Sequence, residues 1–179
     1  MLNLDALEPV VIERVPFPHV VIPQFISKSD CADIRDNYLE MEIPDGNQYN
    51  KFRLGQSFIK LIGELHGSEF ESLVERKFDV ELKGLKKATV VRNESYNSDG
   101  DAHTDMPNKI ITALIYFNER WQGSEGCLRL LRSNNLDDHF MEVPPLDGTL
   151  VLFHRTNNSW HGYKRLAGPR RMIQLNWHR

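Results

Sequence analysis

From Lys87 onward the chain is a succession of short runs suited to strands: ATVVR, IITALIYF, CLRLLR, HFMEV, TLVLFH and MIQLNW. Polar, Gly-rich or Pro-rich turns punctuate them. Short strands so spaced bury their apolar faces by folding onto one another, as an antiparallel sandwich or barrel. The segment before Lys87 reads differently. VIERVPFPHVVIPQFIS carries Pro16, Pro18 and Pro23, which predicts short edge strands, because proline cannot donate to a central ladder. Ser27 with Asp30 three residues on is a helix start, and Cys31, Ile34, Tyr38 and Met41 follow at helical spacing up to the Pro44-Asp45-Gly46 turn signal. Residues 56–66 and 68–78 read as two more amphipathic helices, parted at Gly67-Ser68. The expected fold is α+β and mainly β, with helices first and an all-β core after them.

The chain has 179 residues, enough for one domain with a real core. A single domain over 1–179 is expected, with helical support over roughly 1–86 and the β core over roughly 87–179. The net charge of −3 lacks the basic excess of a nucleic-acid binder, so no nucleic-acid partner is expected. Cys31 and Cys127 are far apart, which argues against a disulfide scaffold or a thiolate zinc site. The start, MLNLDALEPV, does not read as a signal peptide, and no apolar run approaches the roughly 20 residues of a membrane span. The expectation is a cytoplasmic protein without a membrane partner. The oligomeric state is left open.

One constellation carries chemistry. His103-Thr104-Asp105 places an imidazole and a carboxylate two residues apart, on one face if this is a strand or its end. Alone, such a triplet is weak. His161, far downstream in NNSWHGYKRLAGPRRMIQLNW, completes two histidines and one carboxylate, the set by which non-haem Fe(II) enzymes leave three positions open. Arg170 opens the run RRMIQLNW. A dicarboxylate that chelates iron through its 2-oxo acid end has a second carboxylate free, and a guanidinium can take it in a fork. Strand parity puts Arg170, Met172, Gln174 and Asn176 on the more polar face, with Arg171, Ile173, Leu175 and Trp177 on the other. Arg170 is therefore chosen over Arg171, although without the histidines both would read as solvated charges. His154 ends TLVLFH and is a competing ligand. His19, His66, His139 and His178 read as surface or capping residues.

These motifs together resemble the Fe(II)/2-oxoglutarate-dependent oxygenases of the prolyl-4-hydroxylase-like type. HTDMPNKIITALIYFNERW is similar to that family's strand after H-x-D. GCLRLL resembles its next strand, with Cys127 where a second Gly is common, and GTLVLFHR with SWHGY matches the approach to the last histidine. Arg170 falls at the family spacing from His161, not from His154. The resemblance implies a double-stranded β-helix (a jelly roll) braced by N-terminal helices. It implies Fe(II) held by His103, Asp105 and His161, and 2-oxoglutarate held by Arg170, Tyr116 and Tyr96. Thr112 is a further candidate for the pocket wall, and Arg129 is either a substrate contact or the partner of an acid. The implied activity is a dioxygenase that hydroxylates an unactivated C–H bond of a peptide or small-molecule substrate, consuming O2 and releasing succinate and CO2, with ascorbate an optional addition. Asp105 favours hydroxylation over halogenation, because related halogenases lack the carboxylate. Two other readings stay open: a cupin-like metal enzyme that does not use 2-oxoglutarate, and a non-catalytic binding module. Residues 44–56 and 132–139 are the expected lid segments.

Overall fold

The computed structural model describes residues 1–38, 41–43, 55–96 and 99–179, with the backbone alone at 41–43. The chain runs through α1 (Leu4–Leu7), β1 (His19–Ile22), α2 (Lys28–Arg35), β2 (Met41–Ile43), α3 (Gln56–His66) and α4 (Ser68–Phe78). It continues with β3 (Lys86–Ser95), β4 (Lys109–Tyr116), β5 (Leu128–Leu131), β6 (His139–Val143), β7 (Leu150–His154), β8 (His161–Gly162) and β9 (Gly168–His178). The described strands form a larger sheet, β1-β7-β4-β9-β3-β2, and a smaller one, β6-β5-β8, with antiparallel neighbours throughout. This is the antiparallel two-sheet arrangement that the strand pattern predicts, and the double-stranded β-helix that the resemblance implies.

Local chemistry explains the element boundaries. The Ser27 hydroxyl accepts the Asp30 amide and starts α2. Gly67 ends α3 and caps α4, in the gap where the apolar period resets. The prolines around β1 flank the strand without entering it, and β1 sits on the sheet edge. Met41 departs from the sequence reading. It opens β2, paired with Val91 of β3, and does not continue α2. Cross-strand pairing at the sheet edge captures the backbone there, and α2 stops at Arg35. The Pro44-Asp45-Gly46 turn lies outside the described residues, and so does most of the 44–56 segment.

Two apolar layers follow from strand alternation. On the outer face of the larger sheet, Ile111, Ala113, Ile115, Ile173, Leu175 and Trp177 pack against Phe58, Leu61, Ile62, Leu65, Phe70 and Val74 of α3 and α4. Between the sheets, Leu114, Tyr116, Val151 and Phe153 meet Leu128, Leu130 and Val143. The helices thus hold one face of the larger sheet rigid, and its other face is left to build a site. Phe70 anchors the helical layer, with its ring centroid 6.1 Å from that of Trp177 and 6.2 Å from that of Phe25. Phe70→Ala should lower unfolding stability by about 3–5 kcal/mol in a urea titration. A loss under about 1 kcal/mol would mean that the layer does not brace the sheet.

Candidate active site

His103 lies between β3 and β4 and belongs to neither strand. It makes a single antiparallel bridge with His161 instead, each backbone N–H donating to the other's carbonyl at 2.9 Å. Residues opposed across such a rung project to the same face. The two imidazole centroids are 4.5 Å apart. Asp105 joins them, and the ligand atoms of His103, Asp105 and His161 lie within 4.8 Å of one another. Among the described residues this is the one group able to hold a metal. Asp105 and His161 are buried, while His103 is exposed.

Both imidazoles are oriented by backbone. Nδ1 of His103 is 2.8 Å from the Asp101 carbonyl, and Nδ1 of His161 is 2.9 Å from the Ser159 carbonyl. A carbonyl only accepts, so each Nδ1 carries the proton and each Nε2 keeps its lone pair for a metal. Burial pushes the His161 pKa down to about 4 from the ordinary 6.5, and His103 and Lys109 add to the effect. His161 therefore offers a neutral ligand across the physiological range. The same shift has a sign for stability. Below pH 6.5 the unfolded chain takes up a proton that folded His161 resists. In the metal-free protein its contribution is complete above that pH and is lost as pH falls toward 4. The loss is on the order of 3 kcal/mol. An NMR titration of metal-free protein that placed the His161 pKa at or above 6.5 would contradict this burial effect.

Asp105 is held on three sides. Lys109 Nζ donates to Oδ1 at 2.5 Å, Thr112 Oγ1 donates to Oδ2 at 2.6 Å, and Arg155 Nε donates to the backbone carbonyl at 3.1 Å. Burial alone would raise this carboxyl's pKa. His161, the Lys109 ammonium and the two side-chain hydrogen bonds outweigh it and hold the group below the usual carboxylate range. Lys109 reaches the site through a β-bulge. It pairs with His178, but Ile111 already pairs with Trp177, so Ile110 is an extra residue. The bulge puts Lys109 on the same face as Thr112, Leu114 and Tyr116.

A cavity of about 200 Å3 between the sheets joins this triad to Lys109, Thr112, Tyr116, Tyr163, Arg170 and Gln174. Arg170, Met172 and Gln174 line it, as β9 parity required, while Ile173, Leu175 and Trp177 sit in the helical layer. The buried Arg170 guanidinium donates from Nε to the Gly126 carbonyl at 2.7 Å and from one terminal nitrogen to the Tyr116 hydroxyl at 3.4 Å. It lies over the rings of Tyr163 and Tyr116, 4.0 and 5.2 Å from their centroids. Burial raises the Tyr116 phenol pKa against the opposing effect of Arg170, so the phenol keeps its proton and can donate. Tyr96 is 50% exposed and lines an adjoining cavity of about 300 Å3, which it shares with His103, Tyr163, Arg170 and Gln174 as well as with Arg92 and Asp99.

The remaining candidates fall outside the cavity. His154 borders a separate hollow with Asp79, Ile110 and Arg179. Arg129 pairs with Glu142, its Nε 2.8 Å from Oε2, and donates to the Leu136 carbonyl at 3.0 Å. This fastens the 132–139 segment to the smaller sheet. His19 is not a surface residue. It is buried against Phe17 and Phe140, because alternation along β1 turns it toward the inter-sheet layer. Cys31 and Cys127 are buried free thiols, and burial pushes Cys31 up to about 12, so neither competes as a metal ligand. Sequence reasoning missed Tyr163, Lys109 and Arg155 as members of the site. Only Tyr163 left a usable signal, an aromatic two residues past the second histidine.

The donor set fits Fe(II). It has two imidazoles and one carboxylate close together, no thiolate, and an arginine lining the same cavity. The fold is shared with solved structures. A prolyl-4-hydroxylase from Pseudomonas putida is 18% identical with a TM-score of 0.60, the match covering 100% of this chain and 94% of that one. A prolyl hydroxylase from Trichoplax adhaerens, solved with a hypoxia inducible factor peptide fragment, is 15% identical with a TM-score of 0.56, covering 99% and 87%. HygX from Streptomyces hygroscopicus, solved with nickel and 2-oxoglutarate, is 14% identical with a TM-score of 0.56, covering 89% and 81%. No curated protein matches the sequence. No described helix is long and apolar enough to cross a membrane. Residues 89–179 match the family model of the 2OG-Fe(II) oxygenase superfamily, and they contain His103, Asp105, His161 and Arg170; the chain belongs to that superfamily and is a 2-oxoglutarate-dependent dioxygenase with a prolyl-4-hydroxylase-like fold.

Proposed function

We propose that this chain hydroxylates an unactivated C–H bond of a peptidyl proline or a small metabolite, with release of succinate and CO2. The observation that carries this reading is the single cavity shared by the metal triad and the Arg170–Tyr116 pair. His103, Asp105 and His161 hold Fe(II). When bound, the iron and 2-oxoglutarate together supply the oxidising power drawn from O2. The protein's share is orientation. Arg170 and the protonated Tyr116 phenol take the distal carboxylate of 2-oxoglutarate, which aims its 2-oxo acid end back toward the triad. Thr112 and Lys109 keep the Asp105 carboxylate ionised and fixed. The inter-sheet layer of Leu114, Leu128 and Phe153 keeps the deep end dry. Tyr96 belongs to the wall of the adjoining cavity, on the side from which a substrate reaches the triad. A cupin-like enzyme that ignored 2-oxoglutarate would have no use for a buried arginine and phenol facing its metal.

The test is succinate formation from 2-oxoglutarate by the Fe(II)-loaded protein in air, with and without ascorbate. Mass spectrometry of a panel of prolyl peptides, free amino acids and sugars would accompany it. A product heavier by one oxygen, formed together with succinate, is expected. A protein that neither binds nor turns over 2-oxoglutarate would remove the proposal.

A further inference from the structure

We infer that Tyr163 is the positioning residue that fixes the Arg170 guanidinium for the distal carboxylate of the cosubstrate; the inference rests on the proposed use of 2-oxoglutarate. The guanidinium carbon lies 4.0 Å from the Tyr163 ring centroid, closer than the 5.2 Å to Tyr116. The two terminal nitrogens of a guanidinium are useful as a fork only if its plane is set beforehand. Hydrogen bonding alone does not set it here. The Nε bond to the Gly126 carbonyl pins one edge at 2.7 Å, but the second bond, to the Tyr116 hydroxyl, is long at 3.4 Å and holds the plane only loosely. The face of the Tyr163 ring removes that freedom.

The ring is itself immobilised. Its hydroxyl is 3.0 Å from Ser95 Oγ on β3, and its backbone N–H donates to the Gly100 carbonyl at 2.8 Å. Gly100 has φ +102, and a Cβ there would stand 2.5 Å from the Tyr163 carbonyl and 3.0 Å from a ring carbon. A Cβ on Gly162 would in turn stand 2.8 Å from the Gly100 carbonyl. Two bare backbones thus let the loop before His103 close on β8 and clasp the ring. Tyr163 lines both cavities, as do His103, Arg170 and Gln174, so the ring stands where the metal chamber and the outer cavity meet.

Ring face and hydroxyl make separable contributions. Tyr163→Phe keeps the stack and loses only the Ser95 bond, whereas Tyr163→Leu keeps bulk and loses the stack. The experiment is an anaerobic titration of Fe(II)-loaded wild type, Tyr163→Phe and Tyr163→Leu with 2-oxoglutarate, followed by visible absorption and by the thermal shift each addition produces. Fe(II) affinity is measured in parallel. The dissociation constant for 2-oxoglutarate should rise about tenfold in Tyr163→Leu and stay within about twofold in Tyr163→Phe, with Fe(II) affinity unchanged in both. Equal affinity in wild type and Tyr163→Leu would overturn the inference and leave the proposed function standing. Equal losses in the two variants, or Fe(II) affinity falling in step, would also overturn it, since both point to general damage at β8. If wild type holds Fe(II) but does not bind 2-oxoglutarate, the proposed function and the inference fall together.

Discussion

His161→Ala is expected to abolish stoichiometric Fe(II) binding and, with it, all 2-oxoglutarate turnover. His161 is a buried member of the proposed triad, set between the His103 ring and the Phe153 ring at centroid distances of 4.5 and 4.7 Å. Its Nε2 has no substitute nearby, because His154 faces a different hollow. Losing a partner outside the metal's own ligand set typically costs 10–100-fold in affinity, so losing a ligand should exceed about 100-fold. The fold should survive. The backbone rung to His103 does not involve the imidazole, and Lys109 and Thr112 still satisfy Asp105. Iron content after anaerobic reconstitution and desalting, with circular dichroism as the check on folding, measures the effect. His154→Ala is the control and should bind iron like wild type. One equivalent of tightly held iron in His161→Ala would disqualify the triad.

Arg170→Ala carries the second large effect, and it is selective. Iron binding should be retained, while the dissociation constant for 2-oxoglutarate should rise about 100-fold, the loss of roughly 2.7 kcal/mol from charge-assisted hydrogen bonds in a dry site. The carboxylate would then meet the Tyr116 phenol alone. Arg170→Lys should recover only part of the loss. A lysine ammonium is a point charge that neither presents a fork nor lies flat on Tyr163. Equilibrium titration of the iron-loaded variants separates the outcomes. A change smaller than about threefold in Arg170→Ala would mean that the distal carboxylate is held elsewhere in the cavity. Arg171 would be the first residue to try, although its amide is engaged by Asn118 Oδ1 at 2.9 Å on the other side of the strand.

Much of this is legible in the sequence. The strand runs after Lys87 announced themselves by residue type, and β9 parity alone chose Arg170 over Arg171 because alternation holds along that strand. The places where reading failed share a cause. Counting by twos along β4 puts Lys109 on the face opposite Thr112, and only the bulge at Ile110 reverses this. Nothing in the letters NKIIT marks a bulge. Met41 extended a helical period, but pairing with Val91 is a long-range event that no local window contains. Arg155 acts through its hydrogen bond to a backbone carbonyl, which carries no residue signature. Tyr163 was visible as an aromatic beside the second histidine, but its stacking depends on how closely two glycines let a loop approach β8.

The rung between His103 and His161 has a consequence for how such a protein can change. Two of the three proposed ligands are set side by side by a pair of amide–carbonyl bonds, and the third follows two residues from one of them. Their spacing therefore does not depend on the length of chain that separates them in sequence. Loops between Asp105 and His161, such as the turn around Gly123 or the 132–139 segment, can lengthen, shorten or be exchanged as cassettes while the metal's inner geometry is inherited unchanged. Diversity of substrates is then a matter of what the chain does on that excursion, and the excursion is free to drift because the clasp at its two ends is made of backbone.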